Sequence, residues 1–238
     1  MQITIHQPEH LPWLGFFHKI GLAEHFVVLD NVQYRKQYFQ NRNKVKTNNG
    51  PTWMTVPIQK SPHRDLKIQD VIINTESLSW MKKNLKTIKL LYQSTPYFST
   101  YFEEFSEIYQ NVPNRLSDYN LNLIRFFLKH FEIKCKMSFS SEMNLTQDKN
   151  ELILEICKKM KAKTYISGIS GKDYLKLPEF SKNNINVSFQ EFYHPIYKQR
   201  FGEFTPCMSS LDLLFNEGPK SKDFIFGKEC ERLDYLFL

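Results

Sequence analysis

The sequence predicts an α/β fold built on a Rossmann-like, doubly wound and mainly parallel sheet. Short β-branched runs alternate with amphipathic helical stretches at both ends of the chain. The first strand, helix and strand occupy about 30 residues, which is the size of a βαβ unit. A hydrophobic content of 41% over 238 residues is enough to form one large core. We therefore expect a single domain over residues 1–238, with residues 41–135 as an inserted hairpin and helical block.

The N-terminal unit begins with a strand over residues 2–6, which ends before Gln7-Pro8 because proline removes a backbone donor. Apolar spacing then predicts a helix from Leu14 to Ala23 and a buried strand over residues 25–30. Parallel pairing with a right-handed crossover is the default for such a unit. Ligands bind beyond the carboxyl ends of such strands, so we expect a site near His6-Gln7-Pro8 and Asp30-Asn31.

The predicted insertion begins with a β-hairpin within residues 41–58, whose two strands flank the turn-forming run Asn48-Asn49-Gly50-Pro51. A loop with Pro62 and His63 and a short strand over residues 71–73 follow it. Three stretches then keep apolar residues at helical spacing, which predicts three helices. These stretches contain Leu78, Met81, Leu85, Ile88 and Leu91; Tyr97, Tyr101, Phe105 and Ile108; and Leu116, Leu123 and Phe127.

The C-terminal third returns to alternating strands and helices. The pattern predicts strands over residues 136–140, 164–167 and 186–190 and a helix over residues 149–161. Ser209 is placed to cap a helix that contains Leu211, with Asp212 at the capping-box position. Both ends of the chain therefore contribute to one sheet.

Composition restricts the class of partner. A net charge of +7 favours phosphate-bearing ligands, but no arginine-rich helix, zinc-finger spacing or RNA-binding signature is present, so no nucleic-acid partner is expected. The four cysteines (Cys135, Cys157, Cys207 and Cys230) are far apart, with no CxxC pair or His cluster, and indicate free thiols and no metal site. No signal peptide or membrane span is predicted, which indicates a cytoplasmic protein of unknown oligomeric state.

The loop between the first strand and the first helix is the first candidate site. Its two prolines restrict the backbone, and free amides at the helix start can hold an anion. The candidate substrate-binding residues in it are His6, Gln7, Trp13 and Gly15, and His10 is a candidate base. A rigid structural turn that buries Trp13 explains the same residues.

The second candidate follows the second strand. Asp30 is a candidate base there, because a carboxylate at a strand end can accept a proton. Amide and guanidinium groups suit a ligand with many hydroxyls and phosphates. The candidate binding residues are Gln33, Asn41, Arg42 and Asn43. A solvated surface loop has the same composition.

Two further candidates lie in the C-terminal third. A glycine and serine turn after the strand over residues 164–167 can present amides to phosphate, although it lacks P-loop spacing. Its candidate binding residues are Ser167, Gly168, Ser170, Gly171, Lys172, Asp173 and Tyr174; an ordinary βα turn is the alternative. His194 is a candidate general base and Gln199 a candidate binding residue, although a lone histidine is more often structural.

A set of short motifs, in this order along the chain, resembles the WbqC-like protein family. The set comprises Gln7-Pro8, Pro12-Trp13, Gly15-Phe16-Phe17, Asp30, Gln33, Asn41-Arg42-Asn43, Ser167-Gly168, Asp173-Tyr174-Leu175 and Asp212-Leu-Leu-Phe-Asn216. The resemblance implies a bacterial protein encoded among surface-polysaccharide (O-antigen, lipopolysaccharide) genes. It also implies a transfer of glycine or another aminoacyl group to an amino sugar.

A fainter similarity concerns the fold. The N-terminal unit looks like the opening of HIGH-motif nucleotidyltransferases, some of which form amides through an acyl adenylate. Where that class has His-x-Gly-His, this chain has Trp13-Leu14-Gly15-Phe16, without either imidazole. The departure disfavours activation by ATP and favours a pre-activated acyl donor.

These observations lead to one functional hypothesis. The chain transfers an acyl group to the amine of a nucleotide-linked amino sugar, from a carrier-protein or coenzyme A thioester, with no tightly bound cofactor and no metal. Such a reaction needs a base, for which His10, Asp30 and His194 are the candidates, and donors for an oxyanion, for which Gln7, Asn41 and Asn43 are the candidates. An ATP-dependent ligase and a non-catalytic module that binds a nucleotide-sugar or a carrier protein are the alternatives.

Overall fold

The computed structural model describes residues 1–60, 66–227, 231 and 233. The loop predicted around Pro62 and His63, and Cys230, lie outside the described residues. Five parallel strands form the main sheet in the order β5-β2-β1-β6-β7, and two antiparallel strands, β3 and β4, form a separate hairpin. In chain order the strands are β1 (Gln2–His6), β2 (His25–Val28), β3 (Arg42–Thr47), β4 (Gly50–Thr55), β5 (Lys136–Phe139), β6 (Thr164–Ser167) and β7 (Asn186–Phe189).

The direction of winding reverses beside the central strand β1. The chain moves from β1 to β2 and then β5 on one side, and returns to β6 and β7 on the other. Every neighbouring pair in this sheet is parallel. This arrangement confirms the predicted Rossmann-like, doubly wound sheet, and it creates a crevice at the carboxyl ends of β1 and β6.

Eight α-helices lie within the described residues. They are α1 (Leu14–Gly21), α2 (Ser79–Tyr92), α3 (Phe98–Gln110), α4 (Leu116–His130), α5 (Lys149–Lys159), α6 (Leu177–Lys182), α7 (Leu211–Glu217) and α8 (Ser221–Phe226). The three helices predicted between residues 78 and 127 are confirmed as α2, α3 and α4. No described helix combines the length and the apolar character needed to cross a membrane.

The two faces of the sheet belong to two apolar cores, because side chains alternate along each strand. On one face Ile3, Ile5 and Val27 pack with α5 and α6. On the other face Phe26 and Val28 pack with α1 and the helical block of α2, α3 and α4. The sheet is thus covered on both sides, as a parallel sheet requires.

Some predicted boundaries extend too far. Helix α1 ends at Gly21, not at Ala23, and β2 ends at Val28, not at residue 30. The strand predicted over residues 71–73 is wrong. The backbone groups of this segment form hydrogen bonds with different segments on its two sides. Ile73 N donates to Asn114 O, and Gln59 N donates to Ile72 O. Only isolated β-bridges therefore form, without a continuous ladder of hydrogen bonds.

The capping box predicted at Ser209 and Asp212 is also wrong. Ser209 Oγ does accept a hydrogen bond from Leu211 N at 3.3 Å. The Asp212 carboxylate, however, accepts hydrogen bonds from Tyr92 Oη (3.0 Å) and Tyr197 Oη (2.9 Å) instead of bonding back to the helix start. Tertiary contacts therefore override the local capping pattern.

Candidate functional site

A cleft of about 660 Å³ lies at the carboxyl ends of β1, β2 and β6. Its position matches the crevice beside β1 at which the winding of the sheet reverses. The lining has an apolar part and a ring of polar groups, which is the usual character of a small-molecule site. The residues with polar side chains that line it are His6, Gln7, Glu9, Lys19, Arg35, Tyr38, Asn150, Glu151, Tyr165, Ser170, Tyr174 and Lys176.

Glu9 is the most unusual group in this cleft. Its side chain is nearly inaccessible, and Oε2 has no hydrogen-bond partner among the described residues. Loss of water raises the pKa of its carboxyl group from 4.5 to about 7, although the positive charge of Lys19 acts in the opposite direction. A buried carboxyl oxygen without a hydrogen-bond partner costs stability, and a carboxyl group with a pKa shifted in this way in a cleft is a candidate for acid–base chemistry.

Lys19 supplies the opposite charge. It lies on the buried face of α1, between Phe16 and Ile20, and its Nζ donates to Ile5 O at 3.4 Å. Burial lowers the pKa of its ammonium group to about 8, with the carboxyl group of Glu9 opposing that shift. The cleft therefore holds an acid and a base whose pKa values both lie near neutral pH, which suits proton transfer.

His6 completes the polar floor at the end of β1. Its Nδ1 donates to Gln7 O at 3.0 Å and lies 3.9 Å from Glu9 Oε1. Burial, with the nearby charge of Lys19, lowers the pKa of the imidazole to about 3, so the ring is neutral at pH 7. With its proton on Nδ1, the ring keeps a lone pair on Nε2, the nitrogen that is able to accept a hydrogen bond.

Hydrogen bonds from outside the loop hold the Gln7–His10 segment in place. Gln40 Nε2 donates to Gln7 Oε1 at 2.5 Å. Asn120 of α4 donates to both Pro8 O (3.0 Å) and Gln40 O (2.7 Å). Glu9 thus lies in a loop whose neighbouring residues are anchored to the helical block.

The turn after β6 forms the opposite wall of the cleft. Gly168, Ser170 and Tyr174, three of the seven residues predicted in this turn to bind substrate, line it. Ser167 and Gly171 are buried beneath the wall, where a Cβ at Gly171 would meet Ser167 Oγ at 2.0 Å. Lys172 and Asp173 are exposed and are not part of the lining; the ammonium group of Lys172 lies 5.5 Å from the centre of the Phe189 ring.

The amide side chains predicted to bind substrate in the hairpin are largely engaged within the protein. Asn41 Nδ2 donates to Val56 O at 3.0 Å, and Asn43 Nδ2 donates to Leu11 O at 2.8 Å. Arg42 lies on the outer face of the hairpin with its guanidinium group over Trp53. Gln33 is exposed and pairs through its backbone with Lys67. None of these four residues lines the cleft.

Trp13 and Gly15 have a packing role at the start of α1. The Trp13 ring covers Gly15 so closely that a Cβ there would lie 2.2 Å from the indole. The same ring packs edge-on against Phe192, with 5.5 Å between ring centres. This contact fits the structural-turn alternative for the loop, and glycine is the residue that allows so close an approach.

The three residues predicted as bases lie outside the cleft. His10 is fully buried, donates through Nδ1 to Asn120 Oδ1 at 3.2 Å and stacks on Tyr119. His194 is also fully buried; its Nδ1 donates to Pro195 O (2.8 Å), and its Nε2 accepts from Cys207 N (3.1 Å). Both imidazoles are held in fixed tautomers by their partners, which is the arrangement of structural histidines.

Asp30 connects two strand ends. Its Oδ1 accepts from Ser140 Oγ (3.0 Å) and Ser141 N (2.9 Å), and its Oδ2 accepts from Ser141 Oγ (2.7 Å). These bonds join the segment after β2 to the segment after β5. Both carboxylate oxygens of Asp30 are therefore engaged within the protein, and Asp30 does not line the cleft.

Gln199 lies in a second polar cluster, away from the cleft. Its Nε2 donates to Asp212 Oδ2 at 2.8 Å, and its Oε1 accepts from Lys46 Nζ at 3.1 Å. Desolvation raises the pKa of the Asp212 carboxyl group, while hydrogen bonds from tyrosine and glutamine oppose that shift. The cluster ties the hairpin to α7, so the contacts of Gln199 are structural.

Among the polar residues that line the cleft, Glu9, Lys19 and Tyr38 were not predicted from the sequence. Glu9 stands between Gln7 and His10 in a loop that was already a candidate, and only its burial distinguishes it. Lys19 carried a detectable signal, since it occupies the apolar face of α1 together with Phe16 and Ile20. A lysine on that face has to extend toward a polar feature below the helix.

Within residues 1–60 and 66–227, no group of three or more His, Cys, Asp or Glu side chains is arranged to hold a metal ion. Cys135, Cys157 and Cys207 are free thiols, and burial raises the pKa of each. Raised pKa values make these cysteines poor nucleophiles at neutral pH. None of these three cysteines lines the cleft at the carboxyl ends of β1, β2 and β6.

Comparison with known proteins supports the resemblance found in the motifs. The chain is 29% identical to the uncharacterized protein Rv1507c of Mycobacterium tuberculosis (strain ATCC 25618 / H37Rv) over 226 residues, which cover 94% of this chain and 97% of that protein. No solved structure matches the chain with significance. The model of the WbqC-like protein family matches residues 7–224. The chain therefore belongs to the WbqC-like protein family.

Proposed function

We propose that this protein is an enzyme that transfers an acyl group, such as a glycyl group, to the amine of a nucleotide-linked amino sugar. The observation that carries the proposal is the buried carboxyl group of Glu9 in the cleft at the carboxyl ends of the strands; its Oε2 has no hydrogen-bond partner among the described residues, and burial raises its pKa to about 7. An amino sugar enters as an ammonium ion at neutral pH and has to lose a proton before it can attack. A carboxylate with a pKa near 7 is suited to accept that proton.

The reaction proceeds in two stages. Glu9 accepts one proton from the ammonium group, and the amine nitrogen attacks the carbonyl carbon of a thioester to form a C–N bond. The tetrahedral intermediate then collapses, the C–S bond breaks, and the second amine proton goes to the departing thiolate. The products are an amide and a free thiol, and the proton on Glu9 returns to solvent.

Lys19 and His6 support this chemistry from the floor of the cleft. The ammonium group of Lys19 favours the charged form of Glu9 and offers positive potential to a developing oxyanion. The neutral imidazole of His6 has an acceptor nitrogen for a sugar hydroxyl or for the substrate amine. Gln7, which lines the same cleft, is our candidate donor to the acyl oxygen.

The apolar part of the cleft supports binding of the sugar ring and the acyl chain. Ile5, Leu29 and Val32 line it on one side. Ser170 and Tyr174 contribute hydroxyl groups from the turn after β6, which suit a polyhydroxylated ring. In the proposed substrate contacts, the hydroxyl groups of Ser170 and Tyr174 take the place of Asn41 and Asn43, the donors expected from the sequence.

The test is turnover by the purified full-length chain. A dTDP-linked 4-amino sugar is incubated with acetyl or glycyl thioesters of coenzyme A and of a carrier protein, and products are identified by mass. We expect an N-acylated nucleotide-sugar from the wild-type protein and a loss of at least a hundredfold in kcat for Glu9→Gln. Glu107→Gln, which alters an exposed carboxylate on α3 outside the cleft, is the control and retains full activity.

Two results would replace this proposal with another. Pyrophosphate release that requires both ATP and an amino acid would identify an adenylate-forming ligase. Tight binding of the amino sugar nucleotide with no product from any donor would identify a non-catalytic binding module.

A further inference from the structure

The positive charge of the chain is concentrated in one segment. Residues 31–60 contain six lysines and arginines and no aspartate or glutamate, whereas the whole chain has a net charge of +7. The remainder of the chain is therefore close to neutral. A segment with this composition at the entrance of a cleft attracts anions to it.

Part of this segment forms an exposed surface that we call the cationic–aromatic patch, which consists of Arg35, Tyr38, Phe39, Arg42, Lys44 and Trp53. Its three rings follow one another, with 5.2 Å between the centres of Tyr38 and Phe39 and 6.1 Å between those of Phe39 and Trp53. Tyr38 is 44% exposed and Trp53 39% exposed. Arg35 and Tyr38 also line the cleft, so the patch is continuous with it.

Arg42 is held in a specific orientation within the patch. Its guanidinium carbon lies 4.0 Å from the centre of the Trp53 ring, and Lys44 Nζ lies 5.2 Å from the same ring. Arg42 Nε is buried and has no hydrogen-bond partner among the described residues. A guanidinium group held by an aromatic ring still has N–H groups directed outward in its own plane, where a phosphate accepts two hydrogen bonds.

We propose that the cationic–aromatic patch binds the nucleoside diphosphate part of the substrate. Arg42, Lys44 and Arg35 bind the two phosphates, and the exposed ring of Tyr38 stacks on the base. Trp53 acts as a positioning residue for Arg42. This inference rests on the proposed function, in which the attached amino sugar extends from the patch into the cleft and reaches Glu9.

Two features favour a nucleoside diphosphate over an acidic protein surface. The cations alternate with exposed rings, and a ligand that combines phosphates with a planar base uses both kinds of group. The patch also leads into a cleft of about 660 Å³, which accommodates a single sugar but not a folded partner. The surface of an acidic carrier protein would use the cations and leave the exposed rings without a planar base to stack on.

Calorimetric titration of the full-length chain, without any acyl donor, tests this inference. The probes are dTDP, UDP, GDP, ADP, thymidine and inorganic pyrophosphate, each at low and at moderate salt. We expect at least one nucleoside diphosphate to bind at least tenfold more tightly than both thymidine and pyrophosphate. Affinity should fall as the salt concentration rises.

Three variants assign the roles within the patch, and all three alter residues that the fold leaves at least partly exposed. Arg42→Gln should weaken binding of the nucleotide and of pyrophosphate by tenfold or more, because both lose the charge-assisted bonds. Tyr38→Ala should weaken binding of the nucleotide severalfold and leave pyrophosphate binding unchanged. Trp53→Ala should weaken both, since it acts through Arg42.

Arg125→Gln is the matched control. Arg125 lies on α4, lines a different surface groove, and hydrogen-bonds only to Asn122 among its described contacts. This variant should bind every probe as the wild type does. It removes the same charge from the molecule without touching the patch.

The inference is overturned if no nucleoside diphosphate binds, or if Arg42→Gln and Tyr38→Ala bind nucleotides like the wild type. Binding of an acidic carrier protein that Arg42→Gln abolishes, in the absence of nucleotide binding, would also overturn it. Failure of the proposed function looks different, because nucleotide binding would then persist while neither the wild type nor any variant acylates the sugar.

Discussion

At the scale of single residues, Glu9 and Lys19 place opposite charges in a cleft that is partly shielded from water. Each group loses water on folding, which disfavours its charged form, and the opposite charge of the other group partly offsets that effect. His6 faces the same space and stays neutral at pH 7 because its pKa is lowered to about 3. The pKa values of Glu9 and Lys19 near neutrality suit proton transfer, and the burial of both groups carries a cost in stability that the rest of the fold has to offset.

The first prediction concerns Glu9→Gln and the pH dependence of the free energy of unfolding. The folded-state pKa of Glu9, about 7, lies above its unfolded value of 4.5. The favourable contribution of Glu9 to the free energy of unfolding is therefore fully present below pH 4.5, and it is lost as the pH rises through 7. Glu9→Gln should gain stability relative to the wild type across this window, by ~3 kcal/mol at 1.36 kcal/mol per pKa unit.

The pH dependence has to be measured as the difference in the free energy of unfolding between the wild type and Glu9→Gln. His6 and His10 have lowered pKa values of about 3, so their contribution to stability rises with pH below 6.5 and opposes that of Glu9. The free energy of unfolding of each protein is obtained by urea titration at each pH, and one value is subtracted from the other. The subtraction removes the contribution of His6 and His10, because both proteins contain them. A difference that stays flat from pH 4.5 to 7.5 would contradict the raised pKa of Glu9.

The second prediction concerns Lys19→Met, which preserves the apolar stem and removes the charge. Without the ammonium group, the pKa of Glu9 should rise further, because Lys19 is the charge that lowers it. The acidic limb of the pH profile of kcat/KM should then move to higher pH. A limb at the same pH in both proteins would show that Lys19 does not act on the base.

At the scale of structural elements, the loop of residues 7–10 is positioned by groups distant in sequence. Asn120 on α4 donates to Pro8 O and Gln40 O and accepts from His10 Nδ1. His10, expected from sequence to act as a base, instead fixes this loop from inside the core. The helical block therefore serves the site by holding the loop that carries Glu9.

The third prediction follows from this anchoring. Asn120→Ala leaves three buried polar partners unsatisfied and should cost ~3 kcal/mol of stability, and it should lower kcat more than it raises KM. Asn122→Ala alters a partly exposed amide on the same helix and is the matched control. Equal losses in the two variants, measured by urea unfolding and steady-state kinetics, would argue against the anchoring role.

Sequence patterns predicted the regular elements well, because those elements follow from apolar periodicity. Strand β6 has its predicted bounds, and the helices α2, α3 and α4 follow the predicted spacing. The short strand over residues 71–73 could not be excluded from pattern alone. Its β-branched residues suit a strand, but its bonding partners lie in two separate segments.

Site residues were harder to predict, since their roles depend on tertiary burial. His6, Gln7, Gly168, Ser170 and Tyr174 were identified because the ends of parallel strands meet at one edge of a sheet. Whether a polar residue in the next turn points into the cleft or into the core depends on contacts such as those of Asn120. For this reason His10 was favoured and Glu9 was missed.

At the scale of the whole molecule, a second buried polar cluster joins distant parts of the chain. Asp212 of α7 accepts hydrogen bonds from Tyr92 of α2 and from Tyr197 and Gln199, and Gln199 in turn accepts from Lys46 of the hairpin. The hairpin that carries the cationic–aromatic patch is thereby fixed to the body of the protein. The division of the chain into one domain with an insertion over residues 41–135 stays a prediction.

The fourth prediction tests this connection. Asp212→Ala leaves the hydroxyls of Tyr92 and Tyr197 without their acceptor in the core, so it should lower the free energy of unfolding by ~3 kcal/mol or more. Asp223→Ala, at an exposed position on α8, should have little effect. Urea titration followed by circular dichroism measures both, and equal stabilities would contradict a structural role for the cluster.

The proposed function requires Glu9 to be a buried base with a pKa near neutrality. NMR titration of protein labelled with ¹³C at the glutamate side-chain carboxyl measures this pKa directly, and the resonance missing from Glu9→Gln assigns the signal. We expect this resonance to titrate at about pH 7 and its midpoint to rise in Lys19→Met. A midpoint near 4.5, the ordinary value for a glutamate in water, would contradict the proposed role of Glu9.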